Sequence, residues 1–386
     1  MCFDYIIVGA GITGITAAEE LANVLDKKVL LIDKREHIGG NCYDYLDDNG
    51  NLIHKYGPHV FHTDNTHVYN FLSLFTRWNN YSHKILFKYN DTLVPVPFNF
   101  ISVDKALPED SEEIKIALIE EYEINEKIPI RKLVQSENEH IKQLGNHIYE
   151  IFSEHFKKLY QIGDDELSEF VDKMFPFRMS YDCRYYNAMY QVEPLHGYSY
   201  MFKNMLSNPN ITVVLNRDYN DLIRIDYENK RIFYEDEEFN GHLIFTGMID
   251  EFFKYKYGEL EYNSLILENE EINGKTFQDN SVIYYPNQYH LTRVTDYNYL
   301  SGNTLDTTVV QFEYPVKYDR NDKEQNIPYY PIDLKRNRQL YEKYKKLSDE
   351  FMNVTFVGRL AQYELLQMDE CVEIVLDLIN TKFSEI

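Results

Sequence analysis

The feature that most constrains this chain is a short apolar run, Tyr5 to Val8, that ends in Gly9, Ala10, Gly11, Ile12, Thr13 and Gly14. Ile15, Ala18, Leu21, Ala22 and Leu25 follow at the spacing of one helix face. A second apolar run, Val29 to Ile32, then ends in Asp33. The three glycines have separable jobs. Gly9 allows a tight turn, Gly11 lets backbone approach a pyrophosphate, and Gly14 lets helix and strand pack closely. The phosphates meet a helix N-terminus, and Asp33 stands where a carboxylate binds ribose hydroxyls. This succession predicts an α/β, doubly wound domain gripping a dinucleotide.

The sequel points to FAD. Lys34, Arg35, Ile38, Gly39, Gly40 and Asn41 follow the acid, and a second glycine pair lets backbone approach an extended flavin dinucleotide, which NAD does not need. The domain is therefore expected to be of the glutathione-reductase type. Its cofactor contacts are expected at Gly9, Gly11, Gly14, Asp33, Lys34, Gly40 and Asn41.

Later segments return to the same domain: Ile211 to Leu215, Leu243 to Phe245 before Thr246 and Gly247, and Val354 to Val357 before Gly358, Arg359 and Leu360. Met368 to Phe383 reads as a closing helix. The FAD-binding domain is thus expected over 1–80, 196–248 and 336–386. A helical insert is expected over 100–170, where Ser136 and Glu139 form a capping box before Ile141, Leu144, Ile148, Ile151, Phe152 and Leu159 at helical spacing. Apolar and polar residues alternate from Tyr284 to Val294 and from Thr308 to Tyr314. These predict an antiparallel β-sheet substrate domain over 81–99, 171–195 and 249–335.

At 386 residues the chain can build more than one core. A net charge of -24 disfavours nucleic acid and anionic membrane surfaces as general partners. An anionic substrate must then be met by a few well-placed arginines. The 4 cysteines, Cys2, Cys42, Cys183 and Cys371, form no CxxC pair and suit free thiols in a reducing cytosol. No basic and apolar leader opens the chain, and no run reaches the ~18 apolar residues of a membrane span. The expectation is a cytoplasmic protein with no membrane insertion.

The run His54, Lys55, Tyr56, Gly57, Pro58, His59, Val60, Phe61, His62, Thr63 closely resembles the HKYGxHxFHT signature of the UDP-galactopyranose mutase family. Taken bare, His59 and His62 could ligate a metal, but no carboxylate or thiol cluster accompanies them, so none is expected. Other stretches agree in order and spacing: Pro176, Phe177, Arg178, then Tyr190; Gly197, Tyr198; Thr292, Arg293; Glu313, Tyr314; Pro328, Tyr329, Tyr330, Pro331; and Gly358, Arg359, Leu360. By resemblance, His59, Val60, His62, Gly247, Gly358, Arg359 and Met368 join the cofactor contacts, with His62 at the isoalloxazine. Arg178 closes on the substrate diphosphate, Tyr190 and Tyr314 donate hydroxyls to it, and Arg293 and Arg359 lie near the same cleft. Arg178, Arg293 and His62 carry the catalysis.

The resemblance also explains why no catalytic acid or base stands out. It implies that reduced FAD attacks the anomeric carbon through N5, displacing the nucleoside diphosphate. The sugar opens, recloses through another hydroxyl and recaptures diphosphate, with no net redox. The implied partners are a nucleotide-sugar substrate and a cellular flavin reductant, and a homodimer is usual for bacterial relatives.

The chain also departs from the family. Where GYTxKQW is common, it has Glu154, His155, Phe156, Lys157, Lys158, Leu159 and Tyr160, so Tyr160 replaces a tryptophan and His155 a uracil-stacking tyrosine. Leu365 and Gln367 stand where a tyrosine and an aspartate are usual. Phe156, Tyr160, Leu365 and Gln367 are counted with the substrate site, and their departures suggest a shifted sugar preference, such as a deoxy or modified sugar. Two other readings remain: an amine-oxidase-type flavoprotein performing net hydride transfer, and a flavin-retaining binding protein without turnover.

Overall fold

Five short strands assemble into one parallel sheet in the computed structural model, which describes residues 3–89, 91–171, 174–286, 290–322 and 327–383. Their order is Ile211–Val214, Val29–Ile32, Tyr5–Val8, His242–Phe245, Val354–Phe356. Tyr5 faces Val29 on one side and His242 on the other. Every residue of Tyr5–Val8 and Val29–Ile32 is buried, as a parallel sheet covered on both faces requires. Strand alternation divides them. Tyr5, Ile7, Val29 and Leu31 pack with Leu21, Met201, Val372 and Val375. Ile6, Val8, Leu30 and Ile32 pack with Tyr219, Phe245, Phe252 and Tyr344 on the opposite face. The sheet is therefore sandwiched between helices Ile12–Asn23 and Met368–Leu378 on one side and Lys335–Ser348 on the other.

A second, seven-stranded sheet runs Tyr330–Pro331, Tyr262–Asn273, Thr307–Lys317, Arg293–Asp296, Val282–Tyr284, Ile85–Tyr89, Thr92–Val96. It is antiparallel except where Val282–Tyr284 runs parallel to Ile85–Tyr89. The stretch Tyr284 to Val294, expected as one alternating strand, is instead the arms of a hairpin, and the 12-residue strand Tyr262–Asn273 was not expected. A third sheet joins Phe61–Thr63, Tyr190–Pro194 and Trp78–Asn80.

Helices Phe100–Ala106, Ser111–Glu121, Ile130–Val134 and Glu139–Tyr160 form a separate layer. The last carries a buried stripe of Ile141, Leu144, Ile148, Ile151 and Phe152 that packs on Phe87, Val94 and Val96 of the sheet. Its N-cap is Asn138, whose side chain accepts from the backbone of His140 and Ile141. Ser136 sits two residues earlier and accepts the Asn138 N–H at 3.1 Å. A simple asparagine N-cap two residues later thus replaces the expected capping box, because an asparagine nearer the helix bonds its free donors directly. Cys42, Cys183 and Cys371 are free thiols, while Cys2 lies outside the described residues. Among the described residues no helix is long and apolar enough to cross a membrane.

One buried acid makes stability depend on pH. Asp250 is 1% exposed; its Oδ2 accepts the Leu260 N–H at 2.8 Å, but its Oδ1 is buried without a partner. Burial pushes its pKa up to about 6. A carboxyl raised above its unfolded value stabilises the fold while protonated, and that contribution is lost as pH rises from about 4 through about 6. Asp250→Asn imitates the protonated form. Its stability advantage over wild type, measured by denaturant unfolding, should grow across that window to about 3 kcal/mol and then stay constant.

Candidate active site

The Gly9 turn, the turn Gly39–Cys42, the end of the strand His242–Phe245 and the start of the helix Met368–Leu378 enclose one cavity. Gly9 has φ +105°, and a Cβ there would lie 2.1 Å from Thr246 Oγ1; only glycine fits. A Cβ on Gly14 would lie 1.9 Å from the Gly9 carbonyl oxygen, so this glycine permits the helix to cross the strand. Gly11 differs. Its Cβ would meet only Gly40 Cα, at 3.9 Å, because it faces the open cavity.

Asp33 holds this wall together. Its Oδ2 accepts the Ala10 N–H at 2.7 Å and its Oδ1 the Arg35 N–H at 2.8 Å. Arg35 lies over the Tyr56 ring at 4.5 Å and donates to Asn41 Oδ1 at 2.9 Å, yet its Nη1 is buried with no partner. A cationic donor left unpaired at a cavity wall is costly, and a diphosphate oxygen is the acceptor that satisfies it. The open cradle at Gly11, the helix start and Arg35 together fit the pyrophosphate of FAD.

Of the residues expected at the cofactor, Gly9, Gly11, Asp33, Lys34, Gly40, Asn41, His59, Gly247, Arg359 and Met368 line this cavity. Four do not. Gly14 packs beneath the turn, and Gly358 packs against Thr13, whose Oγ1 would lie 2.9 Å from an added Cβ. Val60 is buried with Ile53 and Tyr297. The His62 ring stacks on Tyr186 at 3.5 Å, outside the cavity wall. Sequence reasoning did not assign Arg35, although its place two residues after the acid was visible.

An aromatic compartment adjoins the cavity across Arg359. That side chain lines the cavity and donates to the carbonyls of Leu366, at 2.6 and 3.0 Å, and Tyr329, at 3.4 Å; its guanidinium lies 5.5 Å from the Tyr330 ring centroid. On the seven-stranded sheet the register sets Tyr284 opposite Arg293 and Arg293 opposite Glu313, so all three share a face. Arg293 and Glu313 form a buried ion pair, and Thr292 Oγ1 donates to Glu313 Oε1 at 2.7 Å. Burial works against the Arg293 charge, but Glu313 beside it prevails and holds its pKa above the ordinary value. Gly57 passes over this pair with φ +91°, and a Cβ there would lie 2.8 Å from Arg293 Nη2. His59, His83 and His155, near the same arginine, are pushed by burial down to about 3 and are neutral. Removing one partner of the buried pair strands the other. Glu313→Ala should therefore cost about 3–5 kcal/mol in unfolding experiments.

The structure redraws part of the expected substrate site. Tyr314 follows Glu313 on the strand and so points to the opposite face, toward Glu268 and Glu270; it does not join Arg293. Tyr190 faces away from the cleft for the same reason. It shares a sheet face with Val192 and stacks on Tyr69 at 3.9 Å, while its neighbour Gln191 pairs with His62. The phenols beside Arg293 are instead Tyr284, Tyr330, Tyr185 and Tyr186.

Arg178 ends the short strand Phe177–Arg178 and is tethered to the loop that follows, donating to the carbonyls of Arg184 at 2.6 Å and Tyr185 at 2.7 Å. Phe156 is buried in the helical layer against Phe152 and Phe170, and His155 lies edge-on to Tyr284 and tilted against Phe87, with Nδ1 buried and unpartnered. Tyr160 packs on Phe170 at 5.0 Å and abuts Tyr330 and Tyr284. Leu365 is 48% exposed, and Gln367 lines the cofactor cavity as the N-cap of Met368–Leu378. Of these departures, Tyr160 therefore lies beside Tyr284 and Tyr330, Leu365 at the surface and Gln367 on the cofactor cavity.

Known proteins agree with this architecture. A family model described as UDP-galactopyranose mutase matches residues 150–365, and one described as an NAD(P)-binding Rossmann-like domain matches residues 7–75. The chain is 34% identical to a UDP-galactopyranose mutase of Mycoplasma genitalium over 96% of this chain and 92% of the relative. It is 32% identical to a dTDP-fucopyranose mutase of Escherichia coli over 95% of each. Among solved structures, a reduced UDP-galactopyranose mutase superposes with a TM-score of 0.72 at 15% identity, covering 100% of this chain and 96% of that one. A putrescine oxidase variant superposes with a TM-score of 0.54 at 11% identity, covering 100% and 99%, so the amine-oxidase reading shares the fold. Through the matched family model and relatives aligned along nearly its whole length, the chain belongs to the UDP-galactopyranose mutase family of FAD-dependent isomerases acting on nucleotide sugars.

Proposed function

We propose that the chain interconverts UDP-galactopyranose and UDP-galactofuranose, working with reduced FAD. The observation that carries this is the junction at Arg359, which lines the FAD-type cavity and also lies beside Tyr330 of an aromatic cluster holding a second arginine. When bound and reduced, FAD supplies a nucleophilic nitrogen for the anomeric carbon. The chain's own residues divide the remaining work. Arg359 and Arg178 donate only to backbone carbonyls among the described residues, so both cationic charges are available to a diphosphate. Tyr284, Tyr330, Tyr185 and Tyr186 wall the compartment with rings that exclude water and hydroxyls that orient an opened sugar. His62, held flat against Tyr186, is assigned to the flavin side of that wall. A cellular reductant would keep the flavin competent. The same reading makes the enzyme a cytoplasmic homodimer whose furanose product enters a capsule or cell-wall polysaccharide.

A dTDP-fucopyranose activity is the second reading, because the relative bearing that name is 32% identical. The test is a panel. Reduced enzyme is incubated with UDP-galactopyranose, UDP-N-acetylgalactosamine, UDP-arabinopyranose and dTDP-fucopyranose, and furanose is sought by chromatography. UDP-galactose is expected to give the highest kcat/KM. A higher value with dTDP-fucopyranose would transfer the assignment, and oxygen consumption with amines in its place would revive the oxidase reading.

A further inference from the structure

Tyr284 was assigned no role by its sequence context, yet it occupies a defined place in a cross-strand row. The register aligns Phe87, Tyr284, Arg293 and Glu313 on four neighbouring strands, which puts their side chains side by side on one sheet face. The ring is wedged. It meets Phe87 at 5.6 Å and His155 at 5.1 Å, both edge-to-face at 74°. Its hydroxyl accepts a long bond from Arg293 Nη1 at 3.5 Å. That bond directs the hydroxyl's own hydrogen elsewhere, and no acceptor receives it among the described residues. Tyr284 is not fully buried as a residue, and its hydroxyl hydrogen is left for an acceptor beside the ring.

Charge decides what the donor meets. The Arg293 charge is cancelled by Glu313 at its other edge, and the histidines nearby are neutral. A phosphate brought here would face the Glu313 carboxylate, whereas Arg178 and Arg359 offer uncancelled charge. The surroundings of Tyr284 are thus aromatic and rich in hydroxyls, with Arg293 paired to Glu313 and Lys158 held on the Tyr285 and Leu291 carbonyls, which are the properties that bind a sugar ring through apolar stacking and directed hydrogen bonds.

We propose that the Tyr284 hydroxyl is a specificity-determining donor to one of the sugar hydroxyls that the ring change leaves intact. The proposal rests on the nucleotide-sugar reading above. A donor of this kind discriminates strongly, because a substrate lacking its partner leaves a desolvated O–H unpaired.

The test uses holoenzyme with Tyr284→Phe, which keeps the wedged ring and removes only the hydroxyl. The substrates are the preferred nucleotide sugar and its analogues lacking the 2-, 3- or 6-hydroxyl; the 4-hydroxyl is excluded because it closes the furanose ring. On the parent sugar, kcat/KM should fall roughly 10- to 100-fold. One analogue should be insensitive to the substitution, and inhibition by UDP should be unchanged. These are ratios within one preparation, so partial misfolding does not imitate them. An equal loss on every analogue, weaker inhibition by UDP, or no loss at all would overturn the proposal. Absence of any mutase activity in wild type would instead refute the nucleotide-sugar reading itself.

Discussion

Arg178→Ala is expected to lower kcat/KM by about 10²- to 10³-fold while leaving FAD at normal occupancy. The arginine ends the strand before the loop that leads to Tyr185 and Tyr186, two of the phenols beside Arg293, and its guanidinium holds that loop through the carbonyls of Arg184 and Tyr185. Removing it takes away a charge assigned to the substrate diphosphate and also the bonds that set the loop's shape. Loss of a desolvated charged contact costs about 2–5 kcal/mol. Arg178 lies outside the lining of the cofactor cavity, so the flavin absorbance of the purified variant should match wild type. Arg178→Lys should recover only part of the loss, because a point charge restores attraction but not the planar fork that spans two acceptors. A variant that loses flavin and keeps its turnover per bound flavin would show that the residue serves the cofactor instead.

Gly11→Val has the opposite signature and an effect at least as large. An added side chain there meets only Gly40 Cα, at 3.9 Å, and otherwise projects into the cavity. The protein should fold, purify without colour and show no turnover, since the valine occupies the space of the pyrophosphate. Gly14→Val is the control. Its side chain would strike the Gly9 carbonyl from 1.9 Å, so that variant should lose thermal stability as well as flavin. Circular dichroism melting and flavin absorbance separate the two, and FAD retained at normal occupancy in Gly11→Val would contradict the placement of the cofactor.

The two halves of the site were not equally legible in the sequence. A dinucleotide turn is written in one short stretch, because backbone approach to a phosphate demands glycine at fixed offsets from a strand and a helix. Gly9, Gly11 and Asp33 could therefore be placed without the fold. The substrate half is assembled from strands distant in sequence, where one residue of register moves a side chain to the other face. Glu313 looks into the site and Tyr314 out of it; Gln191 lies on the side of His62 and Tyr190 does not. Tyr284 escaped notice because its partner Arg293 stands across a hairpin whose pairing no local pattern reveals. Leu365 and Gln367 were read as departures from the family's usual residues. The turn into Met368–Leu378 sends one to solvent and the other to the cofactor cavity, a placement no local pattern reveals.

The account's central claim is that turnover of a nucleotide sugar depends on reduced flavin with no net redox change. The most direct measurement incubates the purified, FAD-loaded enzyme with UDP-galactopyranose without oxygen, once after dithionite reduction and once oxidised, and quantifies the furanose by chromatography. The account predicts many turnovers per flavin in the reduced sample, with the flavin still reduced at the end, and none in the oxidised one. Equal furanose formation by oxidised enzyme, or one equivalent of flavin oxidised for each sugar converted, would contradict it.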